Sequence, residues 1–205
     1  LPISDQVTAA AARLNSAKRP LIILGGGALD GGAAALRIAE RLKAPILTTT
    51  AGKGAVPEDH PLCMGYMMGR APAVEFIKSH DAILCAGSQL SETDFWQDDV
   101  VIDRNLIRID IDADSLAQPH TAEIAIQADA RATLEAIAEK LASHADHKRE
   151  QLAKSKKDYI SDVVADANRR TIASVLKVIR ESLPRETIIC SDMTQIAYEI
   201  GRAHV

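Results

Sequence analysis

The stretch Pro20–Asp30, PLIILGGGALD, decides the fold. Leu21-Ile22-Ile23-Leu24 is an apolar run without polar alternation, and it flows straight into Gly25-Gly26-Gly27 before a helical pattern begins. Such a run must be covered on both faces, which predicts a buried parallel strand with helices above and below it. The glycines follow from the sharpness of the turn, which needs positive φ or a backbone with no Cβ in the way. A turn of this kind leaves N–H groups at a helix N-terminus, where a phosphate can bind.

Moving outward, the same unit recurs. A helix over Ala33–Leu42, with Leu36, Ile38, Ala39 and Leu42 toward a sheet, leads to a second strand at Pro45-Ile46-Leu47-Thr48. That spacing fits one β-α-β crossover. Asp81–Gly87 (DAILCAG) repeats the strand-then-glycine pattern, Leu106–Asp112 (LIRIDID) is a strand with an acidic end, and Glu123–Gln127 is another strand. Ser4 can cap a helix carrying Val7, Ala10, Ala11 and Leu14 on one face. Ala71–Ser79 can form a helix, a short one follows near Ser115, and Asp129 caps one bearing Leu134, Ile137 and Leu141. Thr49–Gly65, rich in Gly and Pro, reads as a loop at the carboxyl end of a strand, where open α/β sheets bind ligands. Ser88–Asp99 is polar and irregular around Phe95 and Trp96.

These elements predict a doubly wound α/β domain over residues 1–145, a mostly parallel, five- to six-stranded Rossmann-like sheet with helices on both faces. Residues 146–170 are strongly charged and read as a connector. In 171–205 the pattern restarts, with Ile172, Val175, Leu176 and Ile179 on a helix face that Pro184 ends, and a strand at Thr187-Ile188-Ile189-Cys190 running into Ser191-Asp192. Too little follows to bury a core, so this part reads as the truncated start of a second domain. With no initiator methionine and Val205 inside an unfinished helical pattern, the chain reads as a piece of a longer polypeptide.

Composition narrows the function classes. Hydrophobic residues make up 47% of the 205 positions and aromatics only 3%, an aliphatic, Ala-rich core suited to a helix-covered parallel sheet. A net charge of -4 offers no electrostatic reason for a nucleic acid or an anionic membrane as partner. No apolar stretch approaches the roughly 20 residues that span a bilayer, and the N-terminus shows no basic-then-apolar leader. Cys63, Cys85 and Cys190 are odd in number and far apart, without a CxxC pair, which argues against a disulfide framework or a zinc site. Cys85 and Cys190 lie in apolar runs and read as buried free thiols in a reducing cytoplasm.

No set of catalytic residues emerges from spacing. The glycine turn fits the GxGxxG fingerprint poorly, because Asp30 follows Gly27 where a glycine is needed and the second strand ends in Thr48-Thr49-Thr50 rather than an acid. Asp110 and Asp112 can either meet ribose hydroxyls or cap the next helix. The histidines form no nucleophilic or metal constellation; His144 and His147 share a helix face within a charged, solvated stretch. Ser88, Ser91 and Glu92 lack a nucleophile elbow, and Lys53 between Gly52 and Gly54 is no P-loop lysine. No catalytic or metal-binding residue is therefore assigned.

The order of motifs carries a resemblance. RPLIILGGGA, APILTTTAGKGAVPEDHPLCMG, DAILCAGS, NLIRIDIDADSL and AEIAIQADARATLEAI together resemble the central domain of thiamine diphosphate-dependent enzymes of the acetohydroxyacid synthase and 2-oxo acid decarboxylase group, over about Ser4 to Leu141. TIICSDMTQIAYEIG looks like the first strand and turn of the family's C-terminal, diphosphate-binding domain. Asp192 and Gln195 match that turn, and Thr194 stands where glycine would. The resemblance implies a lyase or transferase using thiamine diphosphate and magnesium, with its activating glutamate in a preceding domain and its GDG…NN segment in a following one. By that implication the chain alone is catalytically silent, its partners are the other two domains of the same polypeptide, and the full enzyme is a homodimer or homotetramer. The family's central domain holds FAD in some members, ADP in another and nothing in others. Carried over by position, Gly25, Gly26, Gly27, Gly87, Ser88, Asp110, Ile111, Asp129 and Ala130 would line that nucleotide site. FAD-binding synthases usually have an arginine shortly after the Gly87-type turn. This chain has Gln89-Leu90-Ser91-Glu92-Thr93-Asp94, which predicts weak or no FAD binding. The rival reading is a stand-alone module for FAD, ADP or NAD. An NAD-consuming deacylase would need a zinc module that the cysteine spacing does not supply.

Overall fold

The computed structural model describes residues 4–69, 71–97, 100–102, 104–117, 119–142, 154, 157–158, 161, 167–190, 192 and 196. The chain divides into two compact units, residues 1–149 and 150–205.

In the first unit the strands are β1 (Pro20–Leu24), β2 (Ile46–Thr48), β3 (Cys63–Gly65), β4 (Ala82–Ala86), β5 (Leu106–Asp110) and β6 (Ile124–Gln127). They form one sheet in the order β3-β2-β1-β4-β5-β6, and every pairing is parallel. All five residues of β1 and of β4 are buried, so side chains pointing to either face meet cover. This is the doubly wound Rossmann-like α/β class that the apolar runs predict.

The helices are α1 (Ser4–Asn15), α2 (Gly32–Leu42), α3 (Ala71–Lys78), α4 (Glu92–Phe95), α5 (Ala113–Ala117) and α6 (Ala130–Lys140). Helix α1 buries Val7, Ala10, Ala11 and Leu14, the face its spacing prescribes. In α2 the buried stripe is Ala34, Ala35, Ile38, Ala39 and Leu42, while Leu36 lies at its margin. Small residues dominate where α2 and α1 pack on α6. Arg41 closes the end of α6 by donating to the carbonyls of Ala138 and Leu141. At the amino ends of β4, β5 and β6 Arg13 gathers three segments. Its Nε donates to both oxygens of Glu123 at 3.2 Å, and its Nη2 to the Asn105 side chain at 3.0 Å and the Asp81 carbonyl.

Three readings of the sequence need correction. Thr49–Gly65 is not loop throughout, because Cys63–Gly65 adds the edge strand β3, whose three residues are too few to show a period. Thr187–Cys190 has no strand conformation, and Ile188 is 87% exposed, for among the described residues no neighbouring strand pairs with it. Cys190 is accordingly exposed, whereas Cys63 and Cys85 are buried. In the second unit the helix Ala167–Ser182 stops two residues before Pro184. It buries Leu176, leaves Ile172 and Ile179 half-buried, and exposes Val175 and Val178.

Candidate functional site

The chain reverses its direction of growth across the sheet between β1 and β4, and the crevice outside the carboxyl ends of those two strands is where such sheets bind ligands. Here the two strand-end turns touch. The Gly25 N–H donates to the Ala86 carbonyl at 2.9 Å, and the Gly27 N–H to the Gly87 carbonyl at 3.1 Å. Gly87 has φ +62, the left-handed region. The glycines are required by contact as much as by turn shape: a Cβ on Gly25 would lie 2.1 Å from the Gly87 oxygen, and one on Gly87 2.5 Å from the Gly27 carbonyl carbon. A 3-10 helix, Gly26–Gly31, then separates the turn from α2. Two of the three turn N–H groups that could cradle a phosphate are therefore directed sideways into the neighbouring turn.

The other site residues predicted from the sequence sit in local turns and caps. Asp110 Oδ1 accepts the Asp112 N–H at 3.0 Å, and Asp112 in turn accepts the Asp114 N–H at 3.1 Å and the Ser115 hydroxyl at 2.9 Å. The Ser115 hydroxyl, and then the Asp114 amide, hold the Asp112 carboxyl below the ordinary carboxylate range. Ile111, between the two aspartates, is 73% exposed. Asp129 caps α6 through the Ala132 N–H at 2.8 Å, and Ala130 is buried. Ser88 accepts the Leu90 N–H at 3.0 Å through its hydroxyl. Gln195, Thr194, His144 and His147 lie outside the described residues.

Two residues that the sequence reading passed over organise the loop after β4. Arg108, in the middle of β5, is 1% exposed and donates to the carbonyls of Ser88 at 3.0 Å and His120 at 3.2 Å. His120, also 1% exposed, accepts the Ile102 N–H on Nδ1 at 3.0 Å and donates from Nε2 to the Leu90 carbonyl at 2.8 Å. This pattern defines the neutral tautomer. Burial, chiefly, and the Arg108 charge lower the His120 pKa against the bond to Leu90. The available signal was the arginine in LIRID, a charge within a run otherwise suited to a strand covered on both sides. Asp94 accepts the Ser91 N–H at 3.2 Å, and burial pushes its carboxyl up.

Beyond the ends of β4 and β5 lies an open cleft of about 540 Å³. Its lining brings Gln89, Ser91 and Glu92 on one side together with Asp112, Asp114 and Ser115 on the other. Among the described residues it contains three carboxylates and no basic side chain. Among the described residues no group of three His, Cys, Asp or Glu is placed to hold a metal ion, and no helix is long and apolar enough to cross a membrane.

A six-stranded parallel sheet with a cleft at its carboxyl edge defines a Rossmann-like α/β domain. Comparison with known proteins takes the assignment further, because residues 7–137 match the family model for the thiamine pyrophosphate enzyme, central domain, and the chain belongs to that family. It is 37% identical over 199 residues to a probable 2-ketoarginine decarboxylase of Pseudomonas aeruginosa, covering 97% of this chain and 36% of that protein. A probable acetolactate synthase large subunit of Methanocaldococcus jannaschii is 35% identical over 136 residues, 63% of this chain and 23% of that one. Among solved structures, a putative thiamin diphosphate-dependent enzyme from Mycobacterium smegmatis superposes with a TM-score of 0.58 at 21% identity, over 73% of this chain and 30% of that one, and supports the fold. The chain thus spans about a third of the length of the curated relative it matches along almost its whole extent.

Proposed function

We propose that this chain is the central part of a thiamine diphosphate-dependent enzyme that acts on a 2-oxo acid, and that its reaction is decarboxylation. The carrying observation is the extent of one likeness. Similarity to the probable 2-ketoarginine decarboxylase runs through 97% of the chain, beyond the central domain, whereas similarity to the archaeal acetolactate synthase covers 63%. The substrate class that follows is a 2-oxo acid with a cationic, guanidino-type side chain. Thiamine diphosphate, held with magnesium mostly by parts of the polypeptide outside this chain, would supply the nucleophilic carbon and the electron sink.

The residues of this chain act as a scaffold. The glycine turns, the Arg108 and His120 ties and the caps at Asp112 and Asp129 hold main chain and helix ends in place. In this reading residues 1–145 form the central domain, 146–170 a connector, and 171–205 the start of the diphosphate-binding domain, with Gln195 near the cofactor. The full enzyme is a cytoplasmic homo-oligomer.

The test is turnover by the full-length polypeptide with thiamine diphosphate and magnesium. CO2 release from 2-oxo-5-guanidinopentanoate with kcat/KM at least about tenfold above pyruvate is expected. Acetolactate accumulating from pyruvate as the main product would replace decarboxylation by carboligation. Turnover by residues 1–205 alone would end the scaffold reading.

A further inference from the structure

We infer that this central domain excludes the nucleotides that its family resemblance offers it, FAD and ADP, and works as a nucleotide-free platform. The inference concerns binding by this chain alone, so it stands or falls independently of the proposed decarboxylation. A nucleotide diphosphate needs cations or convergent N–H donors where its phosphates lie. Next to the glycine turns, the cleft beyond β4 and β5 adds Glu92, Asp112 and Asp114, and among the described residues its lining holds no basic side chain. Arg108, the cation on β5 beneath the loop after β4, is 1% exposed and turned inward onto the carbonyls of Ser88 and His120. Donors are scarce for a second reason. The N–H groups of Gly25 and Gly27 hold the Ala86 and Gly87 carbonyls, and the Cβ-free contact between Gly25 and Gly87 leaves no gap between the two turns. Both the charge and the donor directions of this edge oppose a pyrophosphate.

The experiment is equilibrium dialysis of the 205-residue chain against FAD and, separately, ADP at low ionic strength, where surface electrostatics are least screened. No saturable binding of either up to about 1 mM is expected. A stoichiometric complex with a Kd below about 100 μM, or a yellow chromophore that survives gel filtration, overturns the inference. A second arm tests the cause. Glu92 and Asp114 are exposed, and their carboxylates hold no bond that the fold uses among the described residues, so the variant Glu92→Arg with Asp114→Asn should fold as the parent does. It is expected to gain ADP binding with a Kd below about 1 mM that fades as salt is added. A variant with the parent's melting temperature that still binds no ADP overturns the electrostatic account.

Discussion

Gly25 and Gly87 approach so closely that a methyl group on the first would lie 2.1 Å from the carbonyl oxygen of the second. A contact under 3 Å with backbone cannot be relieved by a rotamer change, so the two turns would have to separate. Gly25→Ala should cost about 3 kcal/mol or more in urea unfolding. Gly26→Ala, whose Cβ would meet the Ala51 side chain at 3.2 Å, should cost at most about 1 kcal/mol. Equal effects would show that turn conformation, not contact, selects glycine here.

Arg108 supplies donors to two buried main-chain carbonyls, Ser88 and His120. Arg108→Met leaves both without that donor, and a loss of about 3 kcal/mol is expected. Arg108→Lys restores the charge but not the planar fork and should recover only part of the loss. Guanidinium titrations followed by Trp96, the single tryptophan, read both the global loss and any loosening of the loop that carries it.

Neutral His120 makes the stability depend on pH. Its folded pKa lies below the ordinary histidine value of about 6.5, with burial as the largest cause. The stability it contributes is complete above about pH 6.5 and is lost as the pH falls toward the lowered value, because the unfolded chain takes up the proton first. His80 shifts in the same direction, again chiefly through burial. The free energy of unfolding should therefore fall from pH 7.5 to 5.5, with a slope no steeper than about 1.4 kcal/mol per pH unit for each histidine. In His120→Asn the drop should shrink to the share of His80.

The three thiols should separate cleanly. Burial pushes the Cys85 pKa up to about 12, and Cys63 is also buried, whereas Cys190 is exposed. In the native chain a thiol-specific disulfide reagent should modify one cysteine at least about a hundredfold faster than the other two. Denaturant should release the remaining pair. Fast reaction of all three would show that the sheet opens around β3 and β4.

Much of this architecture is legible along the chain because it depends on near neighbours. Apolar runs covered on both faces, glycines after β1 and β4, and aspartates that cap their own helices all act within a few residues, so composition and periodicity report them. The edge strand β3 was not legible, since three residues carry no period, and neither was the exposure of Ile188 and Cys190, which depends on whether another strand lies beside them. The meeting of Gly25 with Gly87, the seating of Arg108 under Ser88, and the convergence of Glu92 with Asp112 and Asp114 join residues about 20 to 60 positions apart. Local pattern cannot register such pairings, because their energy comes from atoms that only the parallel stacking of β1, β4 and β5 brings into contact. The chain order thus prescribed a wound sheet with glycine turns at its carboxyl edge, and the packing of that sheet decided that the edge would be closed, braced and acidic.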